Sequence, residues 1–362
     1  MDPETRFEII AMEPIEEIIT PEELLDLLKR VERPVAYDGF EPSGVAHLGT
    51  GVLRAIKIND LLEAGCRFKL LLADWHAMLN NKMGGDLEKI QAAGKYLIEV
   101  WKACGVDTEK VELVWASDLV KNPEYWRRVL EIAKLTTSAR MVRCSTIMGR
   151  IEGEMQYVSQ LFYPAMQVSD IFELEVDICQ LGIDQRKVNI LAREIAQKLG
   201  HDKPVCAHHH LLMGLSGGAK MNYGEAGEEG QAEVDAKMSK SKPDTCIYIH
   251  DSPEDIVRKL KNAYCVAKEV EGNPVLEICR CIIFRKRAAL LIERPEKFGG
   301  NAEFGSYQEL EDAFRKGDIH PLDLKNAVAK ALSEILAPVR EHFEKNREAA
   351  ALYEAVKGGI TR

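Results

Sequence analysis

Lys237 and Lys240 stand three residues apart in Ala236-Lys237-Met238-Ser239-Lys240-Ser241, beside two hydroxyls in a polar stretch. That is chemistry for holding a polyphosphate. A lysine ammonium is a compact charge on a flexible stem, able to follow charge that migrates from one phosphate to the next during transfer. A solvated loop of Lys and Ser has the same composition, so the string needs a second motif beside it. Tyr37-Asp38-Gly39-Phe40-Glu41-Pro42-Ser43-Gly44-Val45-Ala46-His47-Leu48-Gly49-Thr50 supplies one. His47 falls where a strand hands over to a helix. Free N–H groups at a helix start attract phosphate, and Gly44 and Gly49 let the backbone approach a nucleotide closely. A histidine at such a junction is often only a cap or a packing residue. With the lysine loop in the same chain, a phosphate role becomes the better reading.

The elements that must carry these residues are legible in outline. Pro34 to Phe40 reads as a strand, and Val52, Leu53, Ile56, Leu61 and Leu62 give an amphipathic helix from about 49 to 63, closed by Gly65. Phe68 to Leu72 is an apolar strand, Gly84-Gly85 a turn, and Asp86 the cap of a helix through about Ala103. Val111 to Trp115 is the next strand and Val176 to Cys179 a further short one. Strands separated by helices predict an α/β, mostly parallel sheet with ligands at its carboxyl ends, where His47 and the residues after Cys179 fall. A helical stretch from about Tyr125 to Gln167 interrupts the alternation. At Asp251 the character changes: Ser252-Pro253-Glu254-Asp255 is a helix start, and helices follow almost to Thr361. Residues 1–250 and 251–362 are therefore expected as two domains, the second helical.

Within Leu161-Phe162-Tyr163-Pro164-Ala165-Met166-Gln167-Val168-Ser169-Asp170, the side chains of Tyr163, Gln167 and Asp170 share one helical face. A surface stripe would show the same spacing. Cys206 with His208, His209 and His210 suggests zinc at first sight, but neighbouring side chains on a strand point to opposite faces and do not converge on one ion, so no metal site is assigned. Residues 214–236, rich in Gly, Glu and Ala, read as a flexible insertion or a lid before the lysine loop.

Composition excludes several classes. The nine cysteines contain no Cys-x-x-Cys pair, and neither a disulfide framework nor a four-thiolate zinc site is expected. No apolar run reaches membrane-span length, and Met1-Asp2-Pro3-Glu4 lacks the basic and apolar regions of a signal peptide, so a cytoplasmic protein is expected. A net charge of −10 argues against a general nucleic-acid coat. Any RNA contact must be local, with Arg127, Arg128, Arg140, Arg143, Arg150, Arg186 and Lys187 as candidates against the plainer reading of a solvated charged face.

With these motifs in view, the chain from about Glu22 onward resembles the class I aminoacyl-tRNA synthetases and, within them, the tyrosyl-tRNA synthetases of archaeal and eukaryotic type. The resemblance rests on His47-Leu48-Gly49, on Lys237 to Ser241, on the Tyr163, Gln167 and Asp170 pattern, and on Gly182-Ile183-Asp184-Gln185. One departure is Thr50, which stands where the family's first signature ideally has a second histidine; Thr50, the backbone or nothing could make that contact. The resemblance implies a Rossmann-like catalytic domain whose connecting insertion, about 120–168, forms a homodimer interface, and a C-terminal all-helical anticodon-binding domain. It implies that Tyr37 and Asp170 read a tyrosine phenol while Tyr163, Gln167 and Gln185 hold its amino group. A site built around that hydroxyl rejects the analogue lacking it by about 10⁴ to 10⁵, without a separate editing domain.

For ATP, bound with Mg²⁺ as substrate and with no tightly bound cofactor, the resemblance implies Gly39, His47, Gly49, Asp184, Lys237, Met238, Ser239, Lys240 and Ser241. Among these, His47, Lys237 and Lys240 would neutralise developing charge. Arg143 and Arg186 match the residues that meet the first base pair of the tRNA acceptor stem. Arg294-Pro295-Glu296-Lys297-Phe298-Gly299-Gly300 and His320-Pro321-Leu322-Asp323-Leu324-Lys325 resemble the anticodon reader, Phe298 stacking on a base, Asp323 accepting from a guanine edge, and His320 beside them. A core Phe and a capping Asp are the plainer alternatives there. The expected partners are tyrosine, ATP and tRNA(Tyr). Tryptophanyl-tRNA synthetase is the nearest rival, disfavoured because Tyr37 and Asp170 suit a phenol better than an indole; a catalytically silent tRNA-binding module is the rival from another class.

Overall fold

The computed structural model describes residues 1–149, 157–217, 237–240 and 242–358. Its centre is a six-stranded sheet in the order β1-β6-β5-β2-β3-β4. The strands are β1 (Ile15–Ile19), β2 (Val35–Phe40), β3 (Arg67–Leu72), β4 (Val111–Trp115), β5 (Ile178–Gly182) and β6 (Val205–His209). All neighbours are parallel except β1, which runs antiparallel to β6 along one edge. The buried, near-continuous apolar run of β2 is what a strand covered by helices on both faces requires. From β2 the chain winds outward through β3 and β4, then returns to lay β5 on the other flank of β2. The carboxyl ends of β2 and β5 therefore flank the crevice at the switch point.

Local chemistry sets the helices. The Asp86 carboxylate accepts from Glu88 N at 3.1 Å and Lys89 N at 3.2 Å, starting the helix Leu87–Ala103, whose apolar stripe packs on the sheet. The helix after β2 opens with a wide turn over Gly49–Leu53 and continues as Arg54–Glu63; Gly65, at φ +83°, ends it. Ser252 caps Pro253–Lys261 through Asp255 N.

Three expectations need amendment. The strand placed at Val176 to Cys179 begins two residues later, because Val176 N still donates to Ile171 O and, with Glu175 at φ +53°, closes the helix Ser159–Glu173. β1 was not foreseen; its Ile-Glu-Glu-Ile-Ile sequence has the weak pattern of an edge strand. The C-terminal part is helical except for an antiparallel ribbon, β7 (Leu290–Ile292) with β8 (Ala302–Phe304), because Pro295, Gly299 and Gly300 turn the chain there.

One hydrophobic cluster runs from Ile9 to Val356, joining the sheet helices to those beyond residue 250. At this seam the Tyr96 ring lies 5.6 Å from Phe343 and 6.1 Å from Tyr353. A second cluster surrounds the helix Ser159–Glu173 and its partner Pro123–Leu135. No described helix is long and apolar enough to cross a membrane.

Candidate active site

A cavity of about 440 Å³ opens at the switch point. Tyr37, Tyr163, Gln167, Asp170 and Gln185 line it, as do Gly39, His47, Gly49, Asp184, Lys237, Met238, Ser239 and Lys240. The structure thus brings every described residue expected to meet tyrosine or ATP to one cavity; Ser241 lies outside the described residues.

At the inner end, Tyr37 on β2 faces the helix Ser159–Glu173, which presents Tyr163, Gln167 and Asp170 on one face. Burial first, then Cys179 and Asp170, push the Tyr37 phenol well up. Its hydroxyl finds no partner in hydrogen-bonding geometry among the described residues, although the Gln167 amide is close enough to ease the burial slightly. Asp170 is fully buried: Oδ1 accepts from the Tyr125 hydroxyl at 2.8 Å, and Oδ2 lies 3.0 Å from His76 Nε2, close enough for ion pairing though off the line of a hydrogen bond. Burial alone would lower the His76 pKa, but the Asp170 carboxylate outweighs it and raises it. Gln167 Nε2 donates to Gln185 Oε1 at 3.2 Å, and Gln185 Nε2 to Ile147 O at 3.1 Å, so both amides have fixed orientations.

At the outer end, Gly49 N donates to His47 Nδ1 at 3.2 Å, which leaves Nε2 as the protonated nitrogen. Burial, then Lys240 and Lys237, lower the His47 pKa to about 3. In the free protein His47 is therefore neutral at pH 7 and offers Nε2–H as a donor toward the cavity it lines. Thr50 Oγ1 accepts from His47 N at 2.9 Å and returns a bond to His47 O at 3.2 Å, so the hydroxyl at the departing signature position braces the turn. Lys240 Nζ donates to Ser43 O and to Gly44 O. Burial, reinforced by Lys82, pushes the Lys240 ammonium down to about 7. Lys237 Nζ pairs with Asp184 Oδ2 at 3.4 Å.

Sequence reasoning missed four members of the site. Tyr125 and His76 hold Asp170; Glu41 accepts from Asn80 at 2.9 Å, and burial, then the Glu41 charge, push the Tyr163 phenol up; Arg54 pairs with Asp38 and lies 4.9 Å over the Phe40 ring. Glu41 lies inside the first motif and Arg54 just after it, and both were recoverable as charged residues around a nucleotide turn. Tyr125 and His76 sit in otherwise ordinary helices, and nothing local marked them.

The expected RNA contacts lie elsewhere. Arg143 is exposed on the helix Ser138–Cys144, and Arg186 Nε donates to both Glu17 oxygens at 3.0 and 2.9 Å. Phe298 is 61% exposed, His320 caps the helix Pro321–Lys345 by accepting from Leu322 N at 3.2 Å, and Asp323 stands in its first turn. None of the five lines the cavity. The three neighbouring histidines take separate partners: His208 meets Glu17 and Asn189, His209 meets Gln180, and His210 meets Glu16 and Glu277. Arg150 and most of the 214–236 segment lie outside the described residues.

A parallel sheet with a phosphate-seeking turn after its central strand and a lysine segment across the crevice defines a nucleotide-activating enzyme. Its family is shown by comparison. The chain belongs to the family described as tRNA synthetases class I (W and Y), which matches residues 29–227 and 230–337. It is 48% identical over 349 residues to the tyrosine–tRNA ligase of Sulfolobus acidocaldarius, covering 96% of each chain. To that of Thermococcus sibiricus it is 46% identical over the full length of both. The crystal structure of tyrosyl-tRNA synthetase complexed with L-tyrosine from Pyrococcus horikoshii superposes with a TM-score of 0.89 at 43% identity, covering 98% of this chain and 100% of that one. Tryptophanyl-tRNA synthetase from Aeropyrum pernix, at 19% identity and a TM-score of 0.69, shares the fold.

Proposed function

We infer that the protein is a tyrosine–tRNA ligase, activating tyrosine with ATP and passing it to tRNA(Tyr). The observation that carries this reading is a buried pair of polar atoms at the inner end of the cavity, the Tyr37 hydroxyl and Asp170 Oδ2, neither with a good hydrogen-bond partner among the described residues. Such atoms are costly to bury unless a ligand completes them. A phenol hydroxyl does so by donating to Asp170 and accepting from Tyr37. Phenylalanine leaves both without a hydrogen bond.

The tyrosine carboxylate then attacks the α-phosphorus of Mg·ATP in line, and pyrophosphate leaves. Tyr163, Gln167 and Gln185 orient the amino group, Asp184 takes the ribose hydroxyls, and Gly39, Gly49, Met238, Ser239 and Ser241 form the nucleotide's walls. Lys237 and Lys240 neutralise charge as it moves to the leaving phosphates, while His47 Nε2 donates a hydrogen bond. A ribose hydroxyl at the tRNA 3′ end next attacks the tyrosyl carbonyl and releases AMP. The protein supplies positioning and charge, and no side chain forms a covalent intermediate.

Residues 1–250 are read as the catalytic unit and 251–362 as the anticodon-binding unit, with Arg143 and Arg186 meeting the acceptor stem and Phe298, His320 and Asp323 the anticodon. We also read the enzyme as a cytoplasmic homodimer. Exposed Leu130, Leu135, Tyr157, Val158 and Phe162 support an interface on the 120–168 insertion.

The deciding assay is tyrosine-dependent exchange of pyrophosphate into ATP. Lys237→Ala or Lys240→Ala should slow it by about 10² or more with tyrosine affinity nearly unchanged, because the ammonium groups act on the transition state. An equal loss of tyrosine binding would sink these roles.

A further inference from the structure

Glu277 belongs to the short helix Pro274–Ile278, beyond residue 250, yet its carboxylate is buried against the exit of β6. Its Oε2 accepts from Met213 N at 2.8 Å, and its Oε1 meets His210 Nε2. His210 is fixed from its other side as well: Nδ1 stands 3.1 Å from Glu16 Oε2, and the backbone N donates to Pro14 O at 2.8 Å. The two carboxylates outweigh burial and hold the imidazole up at about 9, so Glu277 faces a cation. Both Glu277 oxygens are committed to the 210–213 segment. The cap of its own helix is a different residue, Asn273, whose side chain accepts from Val275 N and Leu276 N.

What hangs on this segment is the lysine loop. Met213 pairs antiparallel with Lys237, and Met238 N donates to Leu212 O at 2.7 Å, so the backbone carrying Lys237 is laid along residues 212–213. From that rail the Lys237 side chain reaches into the cavity toward Asp184. Charge-assisted bonds from a buried carboxylate are short and directional, which suits a part that must hold a backbone edge in place.

We propose that Glu277 is a positioning residue for tyrosine activation: it anchors the Leu212–Met213 rail and thereby sets where the Lys237 ammonium stands against the leaving phosphates. The proposal rests on the reading of Lys237 as a phosphate-neutralising lysine. It also gives the helices beyond residue 250 a hold on the chemistry that does not pass through tRNA.

A double-mutant cycle on the full-length enzyme tests it, with single-turnover adenylate formation and tyrosine affinity as separate readouts. Glu277→Ala should slow adenylate formation by about ten- to a hundredfold, the penalty of a misplaced group, while tyrosine Kd stays within about twofold. Glu277→Gln keeps an acceptor for Met213 N and should recover most of the rate. In a Lys237→Ala background, Glu277→Ala should add little, because the group it positions is gone. If the two losses multiply, or if tyrosine affinity falls in step with the rate, Glu277 does not act through Lys237. Should Glu277→Ala fail to accumulate as folded protein, Glu277→Asp takes its place in the cycle, since the shorter side chain cannot span Met213 N and His210 together. A Lys237→Ala enzyme with the parental rate would overturn the phosphate reading and this inference with it; a slow one combined with multiplying losses overturns the inference alone.

Discussion

On the proposed reading Asp170 is the phenol reader, and its two oxygens have different surroundings. Oδ1 is taken by Tyr125, while Oδ2 faces the cavity beside His76. Asp170→Asn keeps the shape and the Tyr125 contact but loses the charge that makes an unfilled site so unfavourable. The tyrosine-over-phenylalanine ratio of kcat/KM should fall by about two orders of magnitude or more, from the 10⁴ to 10⁵ that hydroxyl-reading sites reach. If discrimination persists at the parental level, the phenol reader lies elsewhere. The polyphosphate end carries a proton signature. Lys240 has its pKa lowered to about 7 in the free protein, so at pH 8 it is mostly neutral; a triphosphate beside it should restore its charge. ATP binding at pH 8 should then be accompanied by net proton uptake, falling toward zero as the pH drops below the Lys240 pKa. Calorimetric binding enthalpies in buffers of different ionisation heat measure this, and equal enthalpies at pH 8 would count against it. At this scale the sequence showed donors and acceptors but not their electrical state: His47 could be found by its spacing, and its neutrality could not, because burial and two nearby ammonium groups arise only on folding.

The elements were legible to the extent that their signals were local. Asp86, Ser252 and Gly65 mark helix ends through contacts within a few residues, and they were readable for that reason. β1 depends on partners in β6, 187 to 194 residues away, and its isoleucines and glutamates carry no alternation strong enough to announce it. The sheet also imposes requirements that no helix propensity reveals. Gly94 lies on the buried face of Leu87–Ala103, where an added Cβ would come within 2.5 Å of the Trp115 ring at the end of β4. Alanine is the better helix former, yet here the helix and strand would have to separate. Gly94→Ala should destabilise the protein by about 1–3 kcal/mol in urea unfolding, the usual range for overpacking. A stabilised variant would show that the Trp115 ring can swing aside.

At the scale of the whole molecule, the residues proposed for the acceptor stem and for the anticodon belong to different elements, and an acidic protein must grip a polyanion through few contacts. Arg186→Ala should weaken tRNA charging while sparing pyrophosphate exchange; Phe298→Ala with Asp323→Ala should blunt the response to the first anticodon base by about 1–3 kcal/mol per contact. If one subunit charges the tRNA that its partner reads, a heterodimer carrying one lesion on each side should outperform both mutant homodimers. Activity no better than theirs would exclude reading across the dimer. The single apolar cluster that joins the sheet to the last helices has a consequence for how the chain is made. While residues 251–362 are still being translated, roughly 5–20 s at ordinary rates, the Tyr96 side of Leu87–Ala103 waits without Phe343 and Tyr353. A nascent chain stalled near residue 250 should therefore be held by chaperones, and should let go of them only once the C-terminal helices clear the ribosome.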